Sequence, residues 1–226
     1  MQKEFGVIPN VAWDMKTPGH SSTNTRIFSQ LGYHAQFIAQ VDEDLKENLL
    51  KTEKMGMNFI WQPSSANFGD KYQIFTSIVH GNGCQPGGQF FDINGQGVFG
   101  ETNDPFVADT KLRDFNAQKR AISFIDMSIN LSDHFRENHI VVPWGCDYSW
   151  MNARSNFQET EALIDYVRNY MQEQNVHIVQ STPSDFLKAI QADNFHYKIN
   201  ETYPIFKGDM LPFSENKGNI WTGYFS

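Results

Sequence analysis

The chain has 226 residues, 40% of them hydrophobic, which is enough to bury one sizeable core, so we expect a single domain over residues 1–226. The formal net charge of −8 argues against a nucleic-acid partner, because phosphate binding requires concentrated Lys and Arg that no stretch supplies. No apolar run is long enough to cross a membrane, and the first residues lack the apolar segment of a secretory signal peptide. We therefore expect no membrane partner.

The first third of the chain alternates strand-like and helical patterns. Short apolar runs predict strands at 7–13, 35–39, 57–61 and 74–79. Amphipathic segments predict a helix after each of the first two runs. The first of these helices would be capped by one of four adjacent residues, Ser21, Ser22, Thr23 and Asn24. This order, with its short connections, predicts a mostly parallel sheet flanked by helices.

The rest of the chain predicts further elements after a glycine-rich segment. Residues 80–100 hold many glycines and predict a long surface loop. Apolar periodicity predicts helices over 113–136 and 163–171, and short apolar runs predict strands at 140–142 and 176–179. Ser184 or Asp185 would cap a last short helix that ends near Ile190.

Asp147 follows the apolar run at 140–142 and lies among aromatic residues. Pro143 and Gly145 would end that strand, which puts Asp147 at its carboxyl end, where α/β folds bind ligands. The neighbouring aromatic faces suit sugar rings and belong to Trp144, Tyr148 and Trp150. Asp147 is therefore a candidate proton donor, with capping of the following segment as its alternative role.

Several motifs resemble those of the alpha-mannosidases of glycoside hydrolase family 38. Near the start, the similar motifs are Glu4-Phe5-Gly6-Val7, Ala12-Trp13 and Gly19-His20-Ser21. Near the end they are Gly208-Asp209 and the W-T-G-Y-F-S run from Trp221 to Ser226. The Asp147 segment resembles the family's G-[SD]-D-[FY] motif. The resemblance covers essentially the whole chain and implies the middle part of a catalytic domain. It implies an α/β fold, an incomplete (β/α) barrel with mostly parallel strands flanked by helices.

The same resemblance implies zinc-dependent hydrolysis of terminal alpha-mannosides with retention of configuration. In the family, the Asp of the Asp147 motif is the general acid/base, so Asp147 would hold that catalytic role. Trp221 would be a platform for a sugar ring, and Asp209 a further substrate contact, with capping or loop hydrogen bonding as the alternative for Asp209. The resemblance also implies a lysosomal, Golgi or secreted protein, whereas Cys84 and Cys146 leave the compartment open.

Lys16 departs from the family at the position that matters most. It stands where the family has an Asp that is both the nucleophile and a zinc ligand. A protonated amine cannot donate a lone pair to zinc or form a glycosyl ester, and retaining hydrolysis needs two carboxyl groups about 5 Å apart. Asp14 would be offset by about 6.6 Å along a strand, which is too far for it to substitute. We therefore expect an inert or impaired relative.

The remaining zinc ligands of the family fall in an H-x-D motif before Met1 and in a His after Ser226. We therefore expect no metal ligands within this chain and no zinc binding by the chain alone. Two alternatives to an impaired mannosidase are a non-catalytic carbohydrate-binding protein and a structural or interaction protein. The family's first barrel strand would also be missing, so we expect an unpaired sheet edge and self-association through it.

Overall fold

The computed structural model describes residues 2–52, 56–79, 106–144, 153–193, 203–214 and 219–222. Contacts group the chain into two compact units. The first is built from residues 1–83, 132–141 and 182–226, and the second from residues 84–131 and 142–181. The expected single domain stays a prediction, since compactness alone does not establish which segments fold independently.

The first unit is built on a five-stranded sheet in the order β1-β2-β4-β3-β5. The strands are β1 (Val11–Asp14), β2 (Ala35–Ile38), β3 (Asn58–Gln62), β4 (Ile74–Ile78) and β5 (Ile205–Lys207). The pairs β1–β2, β2–β4 and β3–β5 are parallel, and β3–β4 is antiparallel. The predicted α/β class with a mostly parallel sheet is confirmed, and the sheet does not close into a barrel among the described residues.

The start of β1 differs from the prediction. The apolar pattern predicts a strand from Val7, but β1 begins at Val11, after Pro9. Proline lacks the N–H that a strand ladder requires, so a strand seldom runs through it. Val7 and Ile8 are consequently exposed rather than part of the sheet.

The described part of this unit contains the helices α1 (Gln2–Phe5), α2 (Ser22–Gln30), α3 (Glu43–Thr52), α4 (Ser65–Phe68) and α7 (Pro183–Asp193). Ser21 caps α2, because its hydroxyl accepts the Thr23 N–H at 3.2 Å. For α7 the predicted cap is wrong. Thr182 Oγ1 accepts the Asp185 N–H at 3.2 Å, and Pro183 occupies the first helical position that its fixed φ favours.

The core of this unit lies between the sheet and α7. Every residue of β2, β3 and β4 is buried, as in a sheet covered on both faces, and the polar Gln36 donates to Thr76 Oγ1 at 2.9 Å in the interior. Phe37 and Phe75 of the sheet pack in one cluster with Phe186, Leu187 and Ile190 of α7. Phe37 and Phe186 meet edge to face, with ring centroids 5.8 Å apart.

The second unit contains most of α5 (Ala117–Ser132), α6 (Ala153–Tyr170) and a 3-10 turn at Gln172–Gln174. Phe124 and Ile125 of α5 pack against Leu163 and Val167 of α6 in its core. Two helices are therefore confirmed here, although α5 is shorter at both ends than the predicted 113–136. Within the described residues, no helix combines the length and apolar character that a membrane crossing requires.

Two predicted strands are wrong. Residues 140–142 and 176–179 are not strands, and neither run pairs with another segment among the described residues. Val176 and Ile178 are partly buried against the core of the second unit, while Val179 is 72% exposed. An extended segment whose residues are alternately buried and exposed has the same sequence pattern as a strand. Only hydrogen bonds to a neighbouring strand distinguish the strand from the unpaired segment.

Candidate active site

The turn after β1 contains the position at which the family resemblance breaks. Asp14 is the last residue of β1, and Lys16 follows it with an exposed side chain. The Thr17 hydroxyl donates a hydrogen bond to Asp14 Oδ1. His20 Nδ1 lies 3.5 Å from Asp14 Oδ2. Both oxygens of the Asp14 carboxylate are thus engaged by residues of its own turn.

The electrostatics of this turn favour an ionised Asp14. The hydrogen bond from His20, helped by the one from Thr17, holds the pKa of Asp14 below its ordinary value of 3.8, although partial burial acts in the opposite direction. Asp14 is therefore an anion committed to His20 and Thr17. Neither contact is visible in the sequence pattern, which places Asp14 only by its spacing along the strand.

Gly19 and His20 fix how the turn ends. The Gly19 N–H donates to Gln40 O at 2.9 Å, and His20 exchanges two backbone hydrogen bonds with Met210, at 3.1 and 3.0 Å. Gly19 has a φ of +76°, and a Cβ added there would lie 2.6 Å from Leu211 Cδ2. Only glycine fits both the backbone conformation and the space. The G-H-S motif therefore has a structural role that joins β1, β2 and the segment around Met210.

Asp209 belongs to the same junction. Its Oδ1 accepts the Ser22 N–H at 2.9 Å, at the first residue of α2. A carboxylate at this position satisfies an unpaired helix donor and complements the helix dipole. This is the capping contact expected as the alternative role of Asp209, and its contact with a substrate stays a prediction.

Trp221 is 56% exposed, and hydrogen bonds hold its backbone in place. The backbone N–H of Trp221 donates to Phe213 O at 2.9 Å, and Thr222 Oγ1 accepts the Phe213 N–H at 2.9 Å. The neighbouring Ser214 donates to Asp42 Oδ2 at 2.7 Å through its hydroxyl. A fixed backbone with an exposed indole face is compatible with sugar stacking, and that role stays a prediction.

Asp42 has two structural contacts. It lies just before α3, where a negative charge is favourable, and its Oδ1 accepts the Leu45 N–H at 3.2 Å. Its other oxygen accepts both donors of Ser214, so it also ties α3 to the segment before Trp221. No local signal in the sequence indicates a partner so far along the chain.

A second contact that the sequence analysis did not predict involves a buried carboxylate, Glu137. Glu137 is 7% exposed, accepts Asn58 Nδ2 at 2.9 Å, and accepts the Tyr203 hydroxyl. Asn58 begins β3, and the antiparallel pairing puts it opposite Ser77 near the carboxyl end of β4. A buried Glu needs such donors, because an unpaired charge in the interior is costly. The three residues form a structural cluster.

Asp147, Tyr148 and Trp150 lie outside the described residues, as do residues 80–100, Cys84 and Cys146. The proposed acid/base role of Asp147 therefore stays a prediction. Trp144 is described, and its ring packs on Phe124 with centroids 5.5 Å apart, within the core of the second unit.

The donor set after β1 does not fit a zinc site. Within the described ranges, no three or more His, Cys, Asp or Glu side chains are grouped closely enough to hold a metal ion. At the turn itself, Lys16 offers an ammonium, and the Asp14 carboxylate is already engaged.

Comparisons with known proteins agree on one family. A family model described as the glycosyl hydrolases family 38 N-terminal domain matches residues 1–216. The chain is 30% identical over 224 residues to a lysosomal alpha-mannosidase from Dictyostelium discoideum and 28% identical over 221 residues to one from Cavia porcellus. These alignments cover 99% and 96% of this chain but 20% of each relative, so the chain spans about a fifth of their length.

The fold is similar to a solved structure of the same kind. The crystal structure of an alpha-mannosidase from Enterococcus faecalis V583 matches with a TM-score of 0.53 and 12% sequence identity. The match covers 92% of this chain and 19% of that one. The family model matches nearly all of the chain, and the fold agrees with it. The chain therefore belongs to glycosyl hydrolase family 38.

Proposed function

We propose that this chain is an alpha-mannosidase-like protein that binds terminal alpha-mannosides but is impaired in their hydrolysis. The observation that carries the proposal is the turn after β1, where Lys16 replaces the expected carboxylate and the neighbouring Asp14 is engaged by Thr17 and His20. Recognition and chemistry would depend on different residues, so one can persist without the other.

The chemical reason for impairment is the missing second carboxylate. In retaining hydrolysis a carboxylate oxygen attacks the anomeric carbon and forms a glycosyl ester, while a carboxylic acid protonates the departing oxygen. Asp147 would supply the proton. Lys16 offers an amine in place of the attacking carboxylate oxygen, so the ester cannot form. A proton donor by itself leaves most of the barrier in place.

Zinc binding by this chain alone is not part of the proposal. A zinc ion would need three or four lone-pair donors, and the described part of the β1 turn offers none that is uncommitted and anionic. Equilibrium dialysis followed by elemental analysis tests this. Retention of about one zinc per chain, lost on Asp14→Asn, would contradict it.

Mannoside recognition would use the exposed indole face of Trp221. Aromatic side chains at such sites contact the apolar face of a sugar ring, and the flanking hydrogen bonds to Phe213 limit the loss of entropy on binding. Asp209 is a second proposed contact. Its carboxylate has a remaining oxygen beyond the one that accepts the Ser22 N–H.

The decisive experiment separates binding from turnover. The chain is incubated with an aryl alpha-mannoside and zinc, and methyl alpha-mannoside is titrated while Trp fluorescence is recorded. We expect no release of the aryl alcohol above the buffer rate and a saturable fluorescence change. Trp221→Phe should remove the change, while the matched variant Trp13→Phe, which alters a second exposed Trp, should preserve it.

Three other outcomes would each change the conclusion. Turnover that Asp147→Asn abolishes would show that the chain is catalytic after all. A fluorescence change that survives Trp221→Phe would remove the proposed platform. The absence of both turnover and binding would favour a structural or interaction protein instead.

We also propose self-association through β1. This strand is at one end of the sheet order and pairs only with β2 among the described strands. Trp13 on this strand is 46% exposed, and Val7 and Ile8 before it are 62% and 60% exposed. An apolar edge of this kind is a template for pairing with a second chain. Analytical ultracentrifugation should show dimers that Trp13→Lys reduces, and a monomer at all concentrations would contradict this.

The family also suggests where the protein acts. The relatives from Dictyostelium discoideum and Cavia porcellus are both named lysosomal alpha-mannosidases. We propose a lysosomal or secretory-pathway location for this protein on that basis. Fractionation of source cells with a specific antibody tests it, and recovery of the protein in the cytosol would refute it.

A further inference from the structure

A cluster of cations and aromatic rings lies on α2, at the end of α4 and on the segment that follows α4. The Arg26 guanidinium lies over the Phe68 ring, 5.2 Å from its centroid, and Lys71 Nζ lies over the Tyr72 ring, also at 5.2 Å. The two rings meet edge to face, with centroids 5.3 Å apart and an interplanar angle of 72°. The four side chains therefore form one contiguous cluster, with a cation over each ring.

Among the described residues, the two cations of this cluster have no counter-charge. No carboxylate there forms an ion pair with Arg26 or Lys71, although Asp70 is adjacent to Lys71 in sequence. In the same part of the chain, ion pairs do join Lys46, Lys51, Arg168 and Lys188 to neighbouring acids. Arg26 Nε is buried and has no hydrogen-bond partner among the described residues, which costs free energy.

Tyr72 adds a hydroxyl to the cluster. Interactions with Gln30 and Lys71, and the nearby charge of Arg26, lower the pKa of Tyr72 below its ordinary value of 10.0. The surroundings of this hydroxyl therefore favour negative charge, although the chain as a whole has a net charge of −8.

We propose that Arg26, Lys71 and the Tyr72 hydroxyl bind a tetrahedral oxyanion of the phosphate type, either free or as a phosphate ester of a sugar. The Phe68 ring covers one face of the guanidinium, and the two terminal Nη groups of Arg26 would supply the bidentate contact with two oxygens. Lys71 adds a point charge, and Gln30 adds an amide donor. None of these residues belongs to the mannoside site proposed above, so the two proposals can fail separately.

The test is a titration of the 226-residue chain with inorganic phosphate in calorimetry, at constant ionic strength set by chloride. We expect saturable binding that Arg26→Gln weakens about tenfold or more, since a charge-assisted bidentate contact is lost. Arg26→Lys keeps the charge but not the fork and should give an intermediate loss. Lys51→Gln is the matched control, because it removes one exposed positive charge, paired with Glu47, on another helix.

A second readout reports from the cluster itself. The tyrosinate absorbance that Tyr72→Phe removes is followed against pH, with and without phosphate. Bound phosphate should compete for the cations and raise the apparent pKa of Tyr72. Each variant is checked for folding by circular dichroism, so that a loss of binding is not a loss of structure.

The titration results either support or overturn the phosphate proposal. Binding that is weakened by Arg26→Gln and Lys71→Gln, and kept by Lys51→Gln, supports the proposal. Binding that is absent from the wild type, or equal in all variants, overturns it. A hexose 6-phosphate then distinguishes the sources: tighter binding than inorganic phosphate assigns a sugar phosphate, and equal binding assigns the free anion.

Discussion

Residues 14–17 and residues 19–22 are consecutive parts of one turn, yet they relate to the family in opposite ways. In the first part, Lys16 stands where the resemblance predicts a catalytic Asp, and Asp14 is engaged by its own neighbours. In the second part, Gly19-His20-Ser21 matches the family motif, and each residue has a structural contact. The difference shows that the motif which identifies the family here is the part that shapes the backbone. It therefore identifies fold more securely than activity.

The largest expected effect tests the second part. Gly19→Ala should lower the free energy of unfolding by about 3 kcal/mol, because the new methyl group meets Leu211 and the backbone keeps a positive φ. Gly32→Ala is the matched control, since Gly32 also has a positive φ but nothing within 4 Å of the added Cβ. Chemical denaturation should show a clearly smaller loss for Gly32→Ala. Equal losses would mean that backbone strain alone explains the glycine.

The first part is tested by Asp14→Asn, with an expected loss of about 1.5 kcal/mol at neutral pH, kept small because solvent screens a partly exposed site. The folded pKa of Asp14 is below 3.8, so its stabilisation is complete above that value and is lost as the pH falls through the lower, folded value. Unfolding free energies measured from pH 7 into the acid range should therefore converge for the two proteins. A constant difference down to the lowest pH would show that the charge of Asp14 is irrelevant.

Asp209→Ala should cost roughly 0.5–1 kcal/mol, because the Ser22 N–H at the start of α2 loses its acceptor. Asp209→Asn keeps an acceptor oxygen and should cost less. Thermal unfolding of both variants provides the measurement. If alanine leaves the melting temperature unchanged but weakens mannoside binding, Asp209 is a substrate contact rather than a cap.

The smallest expected effect is that of Lys16→Ala, within about 0.5 kcal/mol, since the side chain is exposed and outside the backbone junction. Lys16→Asp restores a carboxylate at this position, and we still expect no turnover of an aryl alpha-mannoside by this chain. Hydrolysis by Lys16→Asp but not by the wild type would contradict this expectation. It would mean that one side chain separates this protein from an active enzyme.

The fold was predictable where burial alone determines the pattern. Strands β2, β3 and β4 are buried on both faces, and their apolar runs predicted them to within a residue or two. The place of β4 between β2 and β3 was not predictable, because strand order depends on pairings between distant residues. The runs at 140–142 and 176–179 failed for the same reason, since apolar alternation does not reveal a missing partner.

The candidate site was predictable only in part. Spacing from Trp13 to Gly19 predicts that Lys16 stands at the family's catalytic position, and this assignment stays a prediction. It gave no sign that Thr17 and His20 hold Asp14, because those contacts depend on how the turn folds back. The bonds that tie His20 to Met210 and Ser22 to Asp209 join opposite ends of the chain, and the Glu137 cluster joins three separate segments. No local periodicity encodes such pairs.

The discontinuous first unit has a consequence for biosynthesis. Strand β3 pairs through Ile60 with Ile205, and the second unit is inserted between them in sequence. A ribosome must therefore deliver more than 140 further residues after β3 before β5 can join the sheet, and the unpaired side of β3 needs protection until then. Nascent chains stalled before Ile205 should recruit chaperones more strongly than chains released after it.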